Sequence, residues 1–176
     1  MLPRAMGGAP SARGFLLLVA ALVALLIALF ATGCGSSSSD EVEVQTGSLS
    51  KAAFIKKADA ICEAARTEFL AKYSKFLETH SSVVNGADQG AKEALLGEIL
   101  ESLLAPNIEG QVTQISALGA PKDFAPEVSN FLNALQARMD KALDNPASFT
   151  TTPTPFVQAE NIARQATMNG CAESFS

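Results

Sequence analysis

The side chains able to do chemistry are few, and most have a plainer structural use. Ser48-Leu49-Ser50-Lys51 has the S-x-x-K spacing in which a lysine activates a serine nucleophile. Neither S-D-N nor K-T-G follows it, and 176 residues are few for the enzymes built on that set. Ser50 directly before an apolar periodic run is instead the mark of a helix N-cap. Asp59, Glu63 and Arg66 share one helical face and could form a small polar site, but acid and base at that spacing ordinarily make a solvated face. His80 is the one imidazole and has no identifiable partner as a general base. One histidine cannot supply the paired Glu-x-x-His of a di-metal bundle, and C-x-x-C-H for haem attachment is absent. Met139 reads as core rather than as a copper ligand. The chain is therefore read as non-enzymatic, with no metal and no cofactor, which leaves its three cysteines, Cys34, Cys62 and Cys171, as the informative residues.

Cys34 follows Ala31-Thr32-Gly33 and precedes Gly35-Ser36-Ser37-Ser38-Ser39, while Arg4 and Arg13 flank the start of an uncharged apolar stretch over 15–30. This order of positive, apolar and small residues resembles the lipobox of bacterial lipoprotein precursors, although Ala31 stands where Leu is usual. The resemblance implies a signal peptide over 1–33, cleavage before Cys34 and acylation of its thiol by palmitate or a similar chain. A retained membrane span and an ordinary secretory signal are the alternatives. Sixteen residues at about 1.5 Å each fall short of a hydrocarbon core of about 30 Å, which disfavours the span. All three readings put the rest of the chain outside the cytoplasm.

With Cys34 assigned to lipid, Cys62 and Cys171 form an even pair in an oxidising compartment, as expected for a disulfide. A metal site is the alternative, but two thiols and a lone His80 lack the usual ligand spacing. Closing a loop of about a hundred residues would contribute on the order of 4 to 5 kcal/mol on the chain-entropy account. Removing the signal takes two of the thirteen basic residues and none of the eighteen acidic ones, so the formal charge moves from −5 to −7. An acidic domain is a poor match for nucleic acid or for anionic lipid headgroups. Membrane attachment would then rest on the acyl chains alone.

The elements that hold these residues follow from spacing. Residues 34–48 contain the lipidated cysteine and a Gly/Ser-rich, then acidic stretch expected to be a flexible tether, and 49–176 is expected to be one domain. Ser50 should cap a helix over 51–79, with Leu49 poised to staple onto Phe54. Ile55, Cys62, Phe69 and Phe76, with Phe54, Ala58, Ile61 and Ala65, form its apolar stripe. A loop over 81–90 contains Asn85-Gly86. Leu95 to Leu104 mark a second helix, and Ile108, Val112, Ile115 and Leu118 continue the period beyond Pro106, which should kink or split it. Asp123 should cap a third helix burying Phe124, Val128, Phe131, Leu132, Leu135, Met139 and Leu143. Thr154-Pro155 should open a fourth helix that Asn169-Gly170 stops, with Cys171 just beyond. No run alternates Val, Ile and Thr as a strand would. The expected fold is all-α, an antiparallel four-helix bundle stapled between Cys62 and Cys171, with the tail after Cys171 covering the lower part of the first helix.

Leu49-Ser50-Lys51-Ala52-Ala53-Phe54-Ile55-Lys56-Lys57-Ala58-Asp59-Ala60-Ile61-Cys62, the segment Leu118-Gly119-Ala120-Pro121 and the late Gly170-Cys171 resemble small uncharacterised lipoproteins of actinobacterial type with a two-cysteine helical domain. That resemblance implies a paired Cys62 and Cys171 and a lipid-anchored place on the extracytoplasmic face of the cell membrane. It implies no activity. The favoured function is a binding or interaction module of the cell envelope with an envelope protein as partner. Its alternative is a carrier of a small apolar ligand between the helices. An apolar cavity of several hundred Å³ is the sign of the carrier, and a filled core with an exposed apolar patch is the sign of the module.

Overall fold

The computed structural model describes residues 41–150 and 155–175, so Cys34 and the expected signal peptide lie outside the described residues. Ser50 starts the first helix, α1 (Lys51–Thr79): its Oγ accepts from the Ala53 backbone N–H at 3.2 Å. The expected stripe is buried through Phe54, Ala58, Cys62 and Ala65, with Ile55, Ile61 and Phe69 partly covered. Beyond Arg66 the helix outruns most of its packing partners, and Leu70 is 50% exposed.

The expected loop over 81–90 contains one helical turn, α2 (Ser81–Val84). Asp88 then caps α3 (Gln89–Ile99), its Oδ1 accepting from Ala91 N–H at 3.1 Å. Before Pro106 the chain neither breaks nor loops. Leu100–Leu104 form a π-helical turn that leads directly into α4 (Ala105–Ala117), where Pro106 is the second residue. A proline inside a helix removes a donor and crowds the carbonyl four residues back, and a widened turn accommodates both while the helix continues.

Helix α5 (Ala125–Asp144) buries Val128, Phe131, Leu132, Leu135 and Met139 as the spacing predicts. Two details differ. Asp123 does not cap it, because Phe124 N–H and Ala125 N–H both bond to Pro121 O in a tight preceding turn that buries Phe124. Leu143 is 36% exposed and Ala142 takes the inward position. A short turn, α6 (Ala147–Thr150), follows.

The expected fourth helix is two. α7 (Val157–Gln165) packs on α5, and α8 (Asn169–Ser174) packs on α1. Between them Thr167 takes a left-handed φ of 62° and Met168 is fully buried. Asn169-Gly170 therefore starts a helix instead of ending one, and Cys171 lies inside it. Gly170 sits against Asp59, and Ser174 and Phe175 line the same groove as Arg66 and Phe69, so the tail runs toward the upper part of α1 and not toward its base.

The folded unit is Glu41–Ser176, so it begins before the expected boundary at Leu49. Residues 42–47, expected as tether, are packed: Val44 is buried, Val42 N–H donates to Asn133 Oδ1 at 2.6 Å and Val44 N–H to Ser129 Oγ at 3.3 Å. Gly47 N–H bonds Ala120 O at 2.8 Å and Ala120 N–H bonds Gln45 O at 3.0 Å, an isolated parallel bridge. Gly119 has φ +66°, and a Cβ on Gly47 would come within 2.9 Å of its Cα, so both positions require glycine. Beyond this bridge the described residues contain no strand and are mostly helical.

Candidate functional site

Cys62 and Cys171 are joined in a disulfide, with Cα atoms 4.9 Å apart. Around it the sequence-selected residues take structural roles. Asp59, expected on a solvated face, reaches across to α8: its Oδ1 accepts from Cys171 N–H at 3.0 Å, capping that helix from another element. Glu63 is exposed, and Arg66 lies further along, lining a groove. Lys51 Nζ stands 4.2 Å over the ring of Phe124, so it does not serve Ser48. His80 stacks on Phe76 with its Nδ1 2.9 Å from Phe76 O at the end of α1. Met139 is in the core. Among the described residues no group of His, Cys, Asp and Glu is placed to hold a metal, and no helix is long and apolar enough to cross a membrane.

The feature that no sequence motif marked is a groove of about 480 Å³. One wall is the uncovered part of α1, where Phe69 and Tyr73 stack with ring centroids 5.6 Å apart. The facing wall is Leu96, Ile99, Leu100 and Leu104, from α3 and the π-helical turn. Phe156 and Phe175, 5.2 Å apart, close the third side. α8 places Phe175 there, and α8 is fixed by the disulfide and by Asp59.

Ile108 and Gln111 of α4 line the interior of the groove. Gln111 is 2% exposed, the one polar side chain among the fully buried described residues. Its Nε2 donates to Asn107 Oδ1 at 2.9 Å, and Asn107 Nδ2 donates to Ala65 O, also at 2.9 Å. Gln111 Oε1 is buried without a partner. The sequence did contain this signal, since Ile108, Gln111 and Ile115 fall on one helical face and the middle one is polar. Nothing in the order of residues, however, reveals that α1 is left uncovered opposite them.

A second hollow of about 630 Å³ lies between α5 and α7, lined by Asn130, Asn133, Gln158 and Gln165 with Glu41 and Glu127. It is polar, and none of its lining side chains has a buried atom lacking a partner. The aromatic groove is the better candidate because its walls are largely apolar and aromatic.

No protein family, curated protein or solved structure matches this chain.

Proposed function

We propose that this protein is a lipid-anchored, extracytoplasmic, non-enzymatic binding domain of the cell envelope that holds a small apolar ligand in the groove between α1, the π-helical turn and α8. The supporting scaffold is read as an antiparallel four-helix bundle made of α1, the run from α3 to α4, α5 and α7. Phe54 meets Phe124, Ala65 meets Asn107, and Tyr73 faces Leu96, so residue numbers rise along α1 as they fall along its partner, which supports that sense. The signal order before Cys34 and the acylation it implies support the anchor and the location.

The observation that carries the binding reading is the groove itself. Its volume of about 480 Å³ falls in the range of about 300 to 1,000 Å³ usual for small-molecule sites. π-helical turns gather at functional sites, and Leu100 and Leu104 of this one face the groove. The exposed large apolar side chains among the described residues, Leu70, Val84, Leu143 and Val157, are spread over four helices. That distribution favours a ligand carrier over an interaction module with one apolar patch.

The test is to purify the full chain from the cells that make it and extract bound small molecules for mass spectrometry. An apolar compound in near-stoichiometric amount is expected with the wild type and is expected to fall away in Ile99→Trp, which fills the groove. Extracts indistinguishable from those of the variant would count against the carrier. In the same cells Cys34→Ala is expected to abolish incorporation of labelled fatty acid, and unchanged labelling would remove the anchor.

A further inference from the structure

Arg66 sets the chemistry of the ligand's head. We propose, on the strength of the ligand-binding reading above, that the groove takes an apolar monocarboxylate, its body between the aromatic walls and its carboxylate on the Arg66 guanidinium.

The walls select an apolar body. The chain has ten phenylalanines and one tyrosine, of which Phe15 and Phe30 lie before residue 41. Of the nine others, five line this groove: Phe69, Tyr73, Phe149, Phe156 and Phe175. Among them and the leucine and isoleucine side chains opposite, Arg66 is the one charged residue in the lining.

Arg66 differs from the other two arginines of the described residues in having no partner. Arg164 pairs with Glu160 at 2.8 Å, and Arg138 donates to Ser148 O at 3.0 Å and lies over the ring of Phe149. Arg66 is in none of the hydrogen bonds, ion pairs or ring contacts of the described residues. Glu63, one turn back on α1, is exposed and forms no ion pair with it. Arg66 is itself exposed, so a head bound there keeps part of its hydration while the body enters the groove.

The guanidinium decides which head fits. It is a planar fork that meets both oxygens of a carboxylate at once, and its one charge balances one carboxylate. A phosphate monoester carries about 1.5 to 2 negative charges near pH 7, more than one arginine neutralises. An ammonium head would set two cations side by side, and an uncharged head gains nothing from Arg66 as an ion. The chain's formal charge of −5 opposes anions at long range, but physiological salt screens that field over about 8 Å, so the local cation prevails at the groove.

The test uses three naphthalenes: 2-naphthoate, its uncharged isostere 2-naphthamide, and 2-naphthyl phosphate. The chain has no tryptophan and one tyrosine, so naphthalene fluorescence is read without interference. Each is titrated into the full chain in phosphatidylcholine nanodiscs, with empty nanodiscs as blank. Wild type should bind 2-naphthoate about fivefold more tightly than 2-naphthamide, the upper end of what a solvent-exposed ion pair supplies, and more tightly than 2-naphthyl phosphate. Raising the salt from about 0.01 M to about 1 M, which shortens the screening length from about 30 Å to about 3 Å, should shrink that ratio. In Arg66→Gln the ratio should fall to about one, in Arg66→Lys part of it should return, and in Arg164→Gln, which removes the same charge from α7 outside the groove lining, it should stay as in wild type. Equal saturable binding of 2-naphthoate and 2-naphthamide to wild type, a ratio unchanged in Arg66→Gln, or an equal loss in Arg164→Gln would overturn the carboxylate head and leave the groove standing as a site. Tightest binding of 2-naphthyl phosphate would overturn it in favour of a phosphomonoester. No saturable binding of any probe would overturn both the head and the groove.

Discussion

Asp59 links the two sides of the disulfide by a second means. Its carboxylate accepts from Cys171 N–H at 3.0 Å, and its Cβ is so close to Gly170 that a methyl there would come within 2.8 Å. A side-chain cap is worth about 1 kcal/mol, in a range of about 0.5 to 2. Asp59→Ala should therefore lower the urea unfolding free energy by about 1 kcal/mol, whereas Asp59→Asn, which keeps the acceptor, should lose much less; equal losses would show that the contact is not a cap. The sequence placed Asp59 on α1 correctly but could not give its partner, because a cap supplied 112 residues away leaves no local pattern. Ser50 was legible for the opposite reason: its partner is three residues on. Gln111 is held by Asn107, which in turn bonds Ala65 O across to α1, a pairing 42 residues apart that leaves no local pattern.

At the scale of elements, the helices that carry their own ends and stripes were readable. α1 and α5 are long, start at local turn or cap signals, and bury the faces that their spacing predicts. Three elements were misread where tertiary contact overrides local preference. Asn169-Gly170 is a stop signal in isolation, yet with Asp59 capping and Cys62 bonding, it opens α8. Residues 42–47 look like linker by composition, but Val42 and Val44 alternate, and Asn133 and Ser129 of α5 accept their N–H groups. Pro106 announced a disturbance, but not its form, a π-helical turn over Leu100–Leu104 that runs on into α4 without a break. Two glycines separate packing from propensity. Gly170→Ala would press on Asp59 and should destabilise by about 1 to 3 kcal/mol, as overpacking does. Gly97→Ala, in α3 with nothing within 4 Å of the new methyl, should stabilise by up to about 1 kcal/mol. Denaturant midpoints of the two variants should shift in opposite directions, and a shared direction would mean that the α1–α8 approach is looser than described.

For the molecule as a whole, the disulfide spans 109 residues of sequence, and the chain-entropy account gives it about 4.7 kcal/mol for a loop of that order. Net stabilities of single domains are about 5 to 15 kcal/mol, so reduction should take a large share. Cys171→Ser should cost as much as Cys62→Ser/Cys171→Ser, since either removes the same link; widely different unfolding free energies would show separate roles for the two thiols. The pair was legible from cysteine count and compartment, while the groove was not, because it arises from what fails to cover α1 and from a tail that turns toward Phe69. The groove is the centre of the functional account, and photolabelling tests it most directly. The full chain in nanodiscs is irradiated with a small diazirine-bearing aliphatic alcohol and digested, and adducts within residues 41–176 are mapped by mass spectrometry. Adducts should concentrate on the stretches carrying Phe69 and Tyr73, Leu96 and Ile99, and Phe175, and should disappear from them in Ile99→Trp. Adducts spread evenly over 41–176, or gathered on the α5–α7 face and unchanged in Ile99→Trp, would contradict a ligand site between α1, the π-helical turn and α8.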